Sequence, residues 1–486
     1  MTVVPNWLIQ RSQLTPGNKA LTYKDNTYSY QELHELVLKR ANKLSALGIK
    51  KRDVVAIFQQ NSVDMLLNIH ALRYIGALKV LLNTRLSSHE LEWQVKDSKA
   101  TYLLVDDSFS FTEQNVPVYN NSLVEATKEN TCEVEMEFSL DDIDTIMYTS
   151  GTTGKPKGVM QTYGNHWWSA NGSLLNLGLQ TNDCWLTSVP LFHISGLSIV
   201  NRSVIYGIPM ILMDKFDPVL ANTYIMQKQA TIMSVVSTML KLMLEHLNEE
   251  SYPNTFRCML LGGGPAPKPL LDACIEKAIP VIQTYGMTET ASQVTTLSPQ
   301  YMFSKLGSAG KPLFPNQIKI LSEGKEQEPH NIGEIVVKGP NVTCGYWQRD
   351  DATLRAFIDE WLYTGDLGYK DEDGFLYVVD RRSDLIISGG ENIYPAEIEA
   401  ALLSIAGVAE AGVTGMNDTE WGKVPYAFVV MKPGCTFNEY DIRTNLQQQL
   451  AKYKMPNRIF CVKQLPRNAS NKLMRHELLK LIIDIN

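Results

Sequence analysis

Short apolar runs alternate with longer mixed stretches over the first two-thirds of the chain. Residues 54–58, Val-Val-Ala-Ile-Phe, read as a strand, and residues 63–75 as a helix. Strands at 79–82 and 101–105 flank a helix at 90–97. Residues 143–147 form another short strand. The rhythm resumes with strands at 209–213, 232–236, 257–261 and 281–283 and helices between them. One of those helices opens on Asp217 as N-cap with Pro218 in its first turn, and runs to residue 229. Such alternation predicts parallel sheets covered by helices. Ligands of such sheets sit beyond the C-terminal ends of the strands.

From about residue 307 the pattern shortens to strands and turns, at 317–321, 333–338 and 371–379, the last with the turn Asp373-Gly374. This predicts a small β-rich subdomain. A charged cluster, Asp380-Arg381-Arg382-Ser383-Asp384, follows. Beyond it come a strand at 385–388, a helix at 396–403, strands at 408–413 and 427–431, and a helix at 439–450. The expected architecture is therefore α/β. A large N-terminal domain of parallel α/β sheets carries the β-rich subdomain, and a small α+β C-terminal domain follows. The boundary is placed at Asp380, giving 1–380 and 381–486; a plain turn after a strand would look similar.

Composition narrows the function. A chain of 486 residues suggests roughly three domains or subdomains. The net charge of −7 gives no support for nucleic-acid or anionic-membrane binding. No apolar run reaches the roughly 18 residues of a membrane span; even residues 197–213 are broken by Asn201 and Arg202. The N-terminal residues lack a basic region leading into an apolar core, so no signal peptide is expected. Seven scattered cysteines without a Cys-x-x-Cys pair fit reduced thiols in a cytoplasmic protein. The eight histidines show no zinc spacing. Association of identical copies stays open.

The strongest chemical signal is Tyr148-Thr149-Ser150-Gly151-Thr152-Thr153-Gly154-Lys155-Pro156-Lys157-Gly158. Glycines let backbone approach a ligand, and N–H, hydroxyl and ammonium groups are the donors a polyphosphate needs. The segment is a phosphate loop following a strand. It is not a Walker A loop: two residues, not four, separate Gly151 from Gly154, and Pro156 follows Lys155. The bland reading is a flexible surface loop.

Other segments are softer alone. Tyr285-Gly286-Met287-Thr288-Glu289 offers a ring to stack on a purine, a hydroxyl for phosphate, and a carboxylate for phosphate-bound magnesium. Gly262, Gly263, Gly264 and Pro265 would let a flat ring lie on backbone, or would simply turn. Asp366, in Tyr363-Thr364-Gly365-Asp366, could accept two ribose hydroxyls, although Gly-Asp is also a common turn pair. Gly389 and Gly390 lie in a turn before Pro395, which equally reads as loop punctuation. Lys472 could be a solvated tail residue, and His193 a structural histidine.

Taken in order and spacing, these segments closely resemble the acyl-adenylate-forming superfamily of acyl-CoA synthetases over nearly the whole chain. The resemblance implies that Thr149–Lys155 and Lys157 bind phosphate. It makes Gly263, Gly264, Pro265, Tyr285, Gly286, Asp366 and Arg381 nucleotide-binding residues. Glu289 becomes the magnesium residue, with Thr288, Glu289, His193 and Lys472 catalytic. Asp380 becomes the hinge of a mobile C-terminal domain, and Gly389 and Gly390 part of a CoA-side loop. ATP, Mg2+ and CoA are the implied cofactors and co-substrate.

Amino-acid-activating relatives carry Asp after Phe at the position of Phe192-His193, so His193 disfavours an ammonium substrate. Arg202, on an apolar segment, needs an anion or solvent, although it could also snorkel. A dicarboxylic acid would supply the anion. The chain is most similar to the branch that joins 2-succinylbenzoate to CoA in menaquinone biosynthesis, with His193, Ser195 and Arg202 facing that acid. A ligase for another aryl or medium-chain acid, a carrier-protein loader and a non-catalytic nucleotide binder are the competing readings.

Overall fold

The computed structural model describes residues 2–109, 116–149, 156–247, 249–264, 266–381, 384–388, 391–418, 421–450, 452–468 and 472–482, without the side chains at 381, 387, 391, 392 and 453. Two sheets dominate the N-terminal part. The first has seven strands, in the order Gly345–Tyr346, Lys157–Thr162, Ile143–Thr149, Leu78–Leu81, Val54–Phe58, Tyr102–Val105 and Val118–Asn120. Its strands are parallel from Ile143–Thr149 onward, while Lys157–Thr162 returns antiparallel. The second has nine strands and a parallel centre, Val281–Met287, Cys258–Leu261, Ile232–Val235, Trp185–Thr187, Met210–Leu212 and Lys19–Tyr23.

Burial explains the continuous apolar runs. Parallel strands covered on both faces have no solvent side to make polar, and Val55, Ala56, Ile57 and Phe58 are all at or below 2% exposure. The helix Val63–Ile75 is buried at every position from Met65 to Ile75, as expected of a helix with protein all round. One core cluster joins it to the helix Ile194–Tyr206 and to strands of both sheets, through Ile57, Leu81 and Met147 from one and Leu21, Met210 and Leu212 from the other. The helix starts where Ser62 accepts from the Met65 N–H and stops at Gly76, whose φ of 77° suits a residue without Cβ. The expected N-cap at Asp217 is present, accepting from Leu220 N, with Pro218 in the first turn; that helix ends at Met226.

A third, antiparallel sheet of six strands contains Gln317–Ser322, Gly333–Lys338, Trp361–Lys370 and Leu376–Arg381. Residues 371–374 turn between the last two strands, so the strand expected at 371–379 begins only at Leu376. Asp371 holds that turn by accepting from Asp373 N and Phe375 N. The C-terminal sheet has five strands, Glu391–Ile393, Ile386–Ser388, Gly422–Met431, Val408–Asp418 and Arg458–Cys461. The helices Pro395–Leu403 and Glu439–Gln447 pack on it through Ile398, Leu402, Ile442 and Leu446. Among the described residues, no helix is long and apolar enough to cross a membrane.

Candidate active site

The strands on either side of the expected phosphate segment pair antiparallel. Thr149 ends one strand and pairs with Lys157, which opens the antiparallel return. Ser150, Gly151, Thr152, Thr153, Gly154 and Lys155 lie outside the described residues. The segment therefore joins two strands, whereas a Walker A loop runs into a helix. The return strand sits close: a Cβ on Gly158 would come within 2.8 Å of Ile146.

Beneath the hairpin lies a charged network that sequence reading missed. Asp144 accepts from Arg73 Nε at 3.1 Å and Nη2 at 2.7 Å, and from Lys79 Nζ at 2.5 Å. All three are essentially without solvent exposure. Burial alone would raise the Asp144 carboxyl, but the charges of Arg73 and Lys79 outweigh it and hold it well below the usual range. Burial pushes Lys79 down to about 8 and the neighbouring His166 down to about 3, so that imidazole is neutral. Thr145 joins His166 to Gln161 at 3.1 Å each. Gln161 Nε2 in turn donates to the carbonyl of Thr288 at 2.7 Å.

That carbonyl opens the proposed magnesium turn. The strand Val281–Met287 runs through Tyr285 and Gly286, so the motif lies on the strand's end instead of following it. A short 3-10 turn, Thr288–Thr290, and the strand Ser292–Thr296 complete a tight reversal. Gly286 is dictated by that reversal: a Cβ there would fall 1.7 Å from the Ser292 carbonyl oxygen. Ala291 and Ser292 both have positive φ, 47° and 96°, which costs of order 1–3 kcal/mol each for such residues. The surroundings hold this turn in place. The carbonyls of Thr288, Glu289, Thr290 and Ala291 accept respectively from Gln161 Nε2, Thr343 N, Asn341 Nδ2 and Ser169 Oγ, at 2.6–2.9 Å.

Glu289 itself is 6% exposed, and its Oε1 accepts from the Tyr346 hydroxyl at 3.0 Å. Lys157 Nζ stands 4.9 Å from the centroid of the same tyrosine ring. The residue closing the phosphate segment and the turn carboxylate thus meet on one aromatic side chain. The donor set fits a nucleotide-bound magnesium ion. Such an ion asks for one or two carboxylates beside phosphate oxygens, and Glu289 is a hard oxygen donor. Among the described residues no group of three or more His, Cys, Asp or Glu forms a dedicated cage.

Two of the residues expected on the nucleoside side also come together. The Tyr285 hydroxyl donates to Asp366 Oδ2 at 2.8 Å, linking the second sheet to the third. Both side chains are below 10% exposure, and the Tyr285 ring packs among Val294, Ile318, Ile335 and Leu376. Gly263, at φ 86°, and Gly264 follow the strand Cys258–Leu261 and are exposed. Pro265 lies outside the described residues.

His193 is the N-cap of the helix Ile194–Tyr206 and is half-buried. Burial, and then the charge of Arg85, push its pKa down to about 4. The ring is therefore neutral near pH 7. Ser195 lies in the first turn and is exposed. Arg202, two turns on, is 1% exposed, so it does not snorkel. Its guanidinium carbon is 5.4 Å from the Trp185 ring centroid. Among the described residues, its Nε and Nη2, like both amide atoms of Asn201, have no hydrogen-bond partner.

Asp380 sits in the last strand of the third sheet, opposite Leu367. It accepts from Ala396 N at 2.9 Å and from Arg475 Nη1 at 2.7 Å. Arg475 also donates to Asp384 and, through two nitrogens, to Glu399. Lys472 is exposed on the C-terminal unit. Its backbone is fixed by Asn468 N donating to its carbonyl and its own N–H donating to Asn468 Oδ1. Gly389, Gly390 and the Arg381 side chain lie outside the described residues.

A family model for the AMP-binding enzymes matches residues 8–347, and one for the AMP-binding enzyme C-terminal domain matches residues 397–472. The chain belongs to the AMP-binding enzyme family. Within it, the chain is 60% identical to a 2-succinylbenzoate–CoA ligase of Geobacillus sp. strain WCH70, covering 99% of this chain and 98% of that one. Among solved structures it is similar to o-succinylbenzoate CoA synthetase of Bacillus subtilis. The complex of that protein with the acyl-adenylate intermediate OSB-AMP superposes with a TM-score of 0.95 at 50% identity, over 98% of each chain. Its complex with ATP and magnesium ion gives 0.93 at 49%, over 98% of this chain and all of that one. A double mutant of it bound to the product analogue OSB-NCoA gives 0.78 at 49%, over 99% of each. Membership in the AMP-binding family accounts for the α/β N-terminal part followed by a small C-terminal part. Tyr346, Gln161, Asn341, Thr343 and Ser169 were not legible as site residues, because nothing local marks them and their partners lie far along the chain.

Proposed function

We propose that this chain joins 2-succinylbenzoate to CoA at the expense of ATP, through an acyl-adenylate, with release of AMP and pyrophosphate. The step belongs to menaquinone biosynthesis. The observation that carries the reading is the end-to-end match to the Geobacillus ligase, 99% of this chain at 60% identity. In the first half-reaction a substrate carboxylate oxygen attacks the α-phosphorus of ATP and pyrophosphate leaves. In the second, the CoA thiol gives up its proton and attacks the acyl carbon, and AMP leaves.

A carboxylate attacking an anion is slow without positioning and charge neutralisation. Lys157, the rest of the phosphate segment and Lys472 supply positive charge. Glu289 holds the nucleotide-bound magnesium, which offsets phosphate charge when bound. Tyr285 and Asp366 receive the nucleoside, with Asp366 oriented by the Tyr285 hydroxyl. Thr288 donates to phosphate, and neutral His193 offers no charge to an ammonium substrate.

Arg202 supports the choice of acid. A buried guanidinium with two nitrogens lacking a hydrogen-bond partner among the described residues carries a desolvation cost of several kcal/mol. A substrate carboxylate on the aromatic ring would offset it, leaving the succinyl carboxylate to react. Two domains, 1–380 and 381–486, hinge at Asp380 between the half-reactions. The unequal superposition supports this: 0.95 on the acyl-adenylate complex and 0.78 on the product-analogue complex, at nearly equal identity. A fold shared at equal identity loses superposition when its parts are rearranged. The hinge turns Lys472 away and brings the segment with Gly389 and Gly390 to the CoA side. Every residue invoked lies in one chain. The seven unpaired cysteines suit the cytoplasm.

Mass spectrometry of the products from a panel of acids tests the reading. With ATP, Mg2+ and CoA, the 2-succinylbenzoyl thioester and AMP are expected, with little product from benzoate, 4-phenylbutyrate, octanoate or an amino acid. A preferred thioester from another acid would remove the substrate assignment.

A further inference from the structure

Tyr346 does more than fill space. It lies on a two-residue strand at the edge of the first sheet, paired through Val159 with the strand that Lys157 opens. Gly345 before it has φ 139°, and a Cβ there would come within 2.6 Å of Thr353. The Tyr346 backbone N–H donates to Thr353 Oγ1 at 3.0 Å, so the approach to the site is fixed from behind. The ring packs with Val159 and Ala352, and the side chain is 7% exposed. One end of the residue meets Glu289 Oε1 and its ring face meets Lys157. The same segment also clamps the turn: Asn341 and Thr343 hold the carbonyls of Thr290 and Glu289, and Thr343 Oγ1 donates to the Met160 carbonyl on the Lys157 strand.

We propose that Tyr346 is a positioning residue that sets the Glu289 carboxylate for nucleotide-bound magnesium and ties that carboxylate to the phosphate-segment lysine. The proposal rests on the reading of Glu289 as the magnesium residue. A phenol donating to one carboxylate oxygen fixes the carboxylate's rotamer. Because Lys157 lies on the same ring, displacement of the phosphate segment and of the carboxylate are mechanically linked.

Tyr346→Phe keeps the ring and its packing and removes only the hydroxyl. The test is calorimetric titration of a non-hydrolysable ATP analogue with and without Mg2+, for wild type, Tyr346→Phe and Glu289→Gln. Losing a partner behind a metal ligand typically costs about 10- to 100-fold in metal affinity. Tyr346→Phe is therefore expected to lower the Mg2+-dependent gain in nucleotide affinity by about that factor. Metal-free affinity should be unchanged. Thioester formation from supplied acyl-adenylate, which needs no triphosphate, should also be unchanged. Tyr346→Leu, which also removes the ring under Lys157, is expected to weaken metal-free nucleotide binding in addition. An unchanged Mg2+ gain in Tyr346→Phe beside a lost one in Glu289→Gln would overturn the role of Tyr346 alone. An unchanged gain in both would overturn the reading of Glu289. Equal loss in both half-reactions with a lowered unfolding temperature would reduce Tyr346 to packing.

Discussion

On the proposed function, Arg202 carries both a burial cost and a role in holding the acid. Two of its buried nitrogens lack a hydrogen-bond partner among the described residues, and on the proposed function a ring carboxylate would supply one. A charge buried without an ionic partner costs several kcal/mol, a penalty that an apolar side chain of similar volume does not carry. Arg202→Met should therefore hold or raise the unfolding temperature without ligand. The same change should raise the KM for 2-succinylbenzoate by about 30-fold or more, the lower end of what losing a buried charge pair costs. For 4-oxo-4-phenylbutanoate, which lacks the ring carboxylate, the KM should barely move. Paired thermal-melt and steady-state measurements check this; equal KM effects on the two acids would remove Arg202 from the pocket. The residue was noticeable in the sequence because a cation stands out in an apolar segment. Tyr346 and Gln161 were not, since their partners lie 57 and 127 positions away and neither residue type is unusual where it stands.

At the scale of elements, the central strands and helices were legible because burial on all sides leaves a plain pattern. The strand Val54–Phe58 and the helix Val63–Ile75 match the expected bounds. The strand Lys19–Tyr23, flanked in the second sheet by Met210–Leu212 and Asn26–Ser29, and the return strand Lys157–Thr162 were not expected. They mix polar and apolar residues because only some positions of each are buried, Ala20 and Leu21 in the first and Gly158, Val159, Gln161 and Thr162 in the second. The helices also hold a titration. His70, in the helix Val63–Ile75, and His166, in the helix Tyr163–Leu177, are both pushed down to about 3 by burial. Their unfolded value is 6.5, so the unfolded chain takes up protons that the folded one refuses. Stability is then highest above pH 6.5 and falls as pH drops toward the folded values, by about 1.4 kcal/mol per pH unit for each group. Asp144, held below its ordinary range, adds stability that is lost only at still lower pH. Urea unfolding between pH 7 and 4.5 should show this slope, and His166→Gln, which keeps a partner for Thr145, should reduce it by about one proton. An unchanged slope would mean that His166 is not the group being charged.

For the whole molecule, the sequence places the boundary at a charged cluster that follows the β-rich stretch and precedes another α/β pattern. Asp380 is both the end of the third sheet and the acceptor for Ala396 N and Arg475 from the C-terminal unit. Which residues meet across that junction could not be read from the sequence, because Arg475 lies 95 positions away. If the C-terminal unit serves two reactions with two faces, its residues should separate by half-reaction. Lys472→Ala should slow adenylation by roughly 10²–10³-fold, the scale for losing one electrostatic stabiliser. Thioester formation from supplied acyl-adenylate should survive. Pyrophosphate release and a supplied-intermediate assay check the two steps separately, and equal losses in both would contradict the division.

The central claim is that one specified carboxylate of a dicarboxylic acid passes through an adenylate. The most direct measurement places heavy oxygen in the succinyl carboxylate of 2-succinylbenzoate, or in its ring carboxylate, and weighs the AMP released in the presence of CoA. AMP carrying one heavy oxygen from the succinyl label, and none from the ring label, is the predicted result. Transfer from the ring carboxylate would contradict the placement of Arg202. Transfer from neither, with the thioester still formed, would contradict the adenylate route itself.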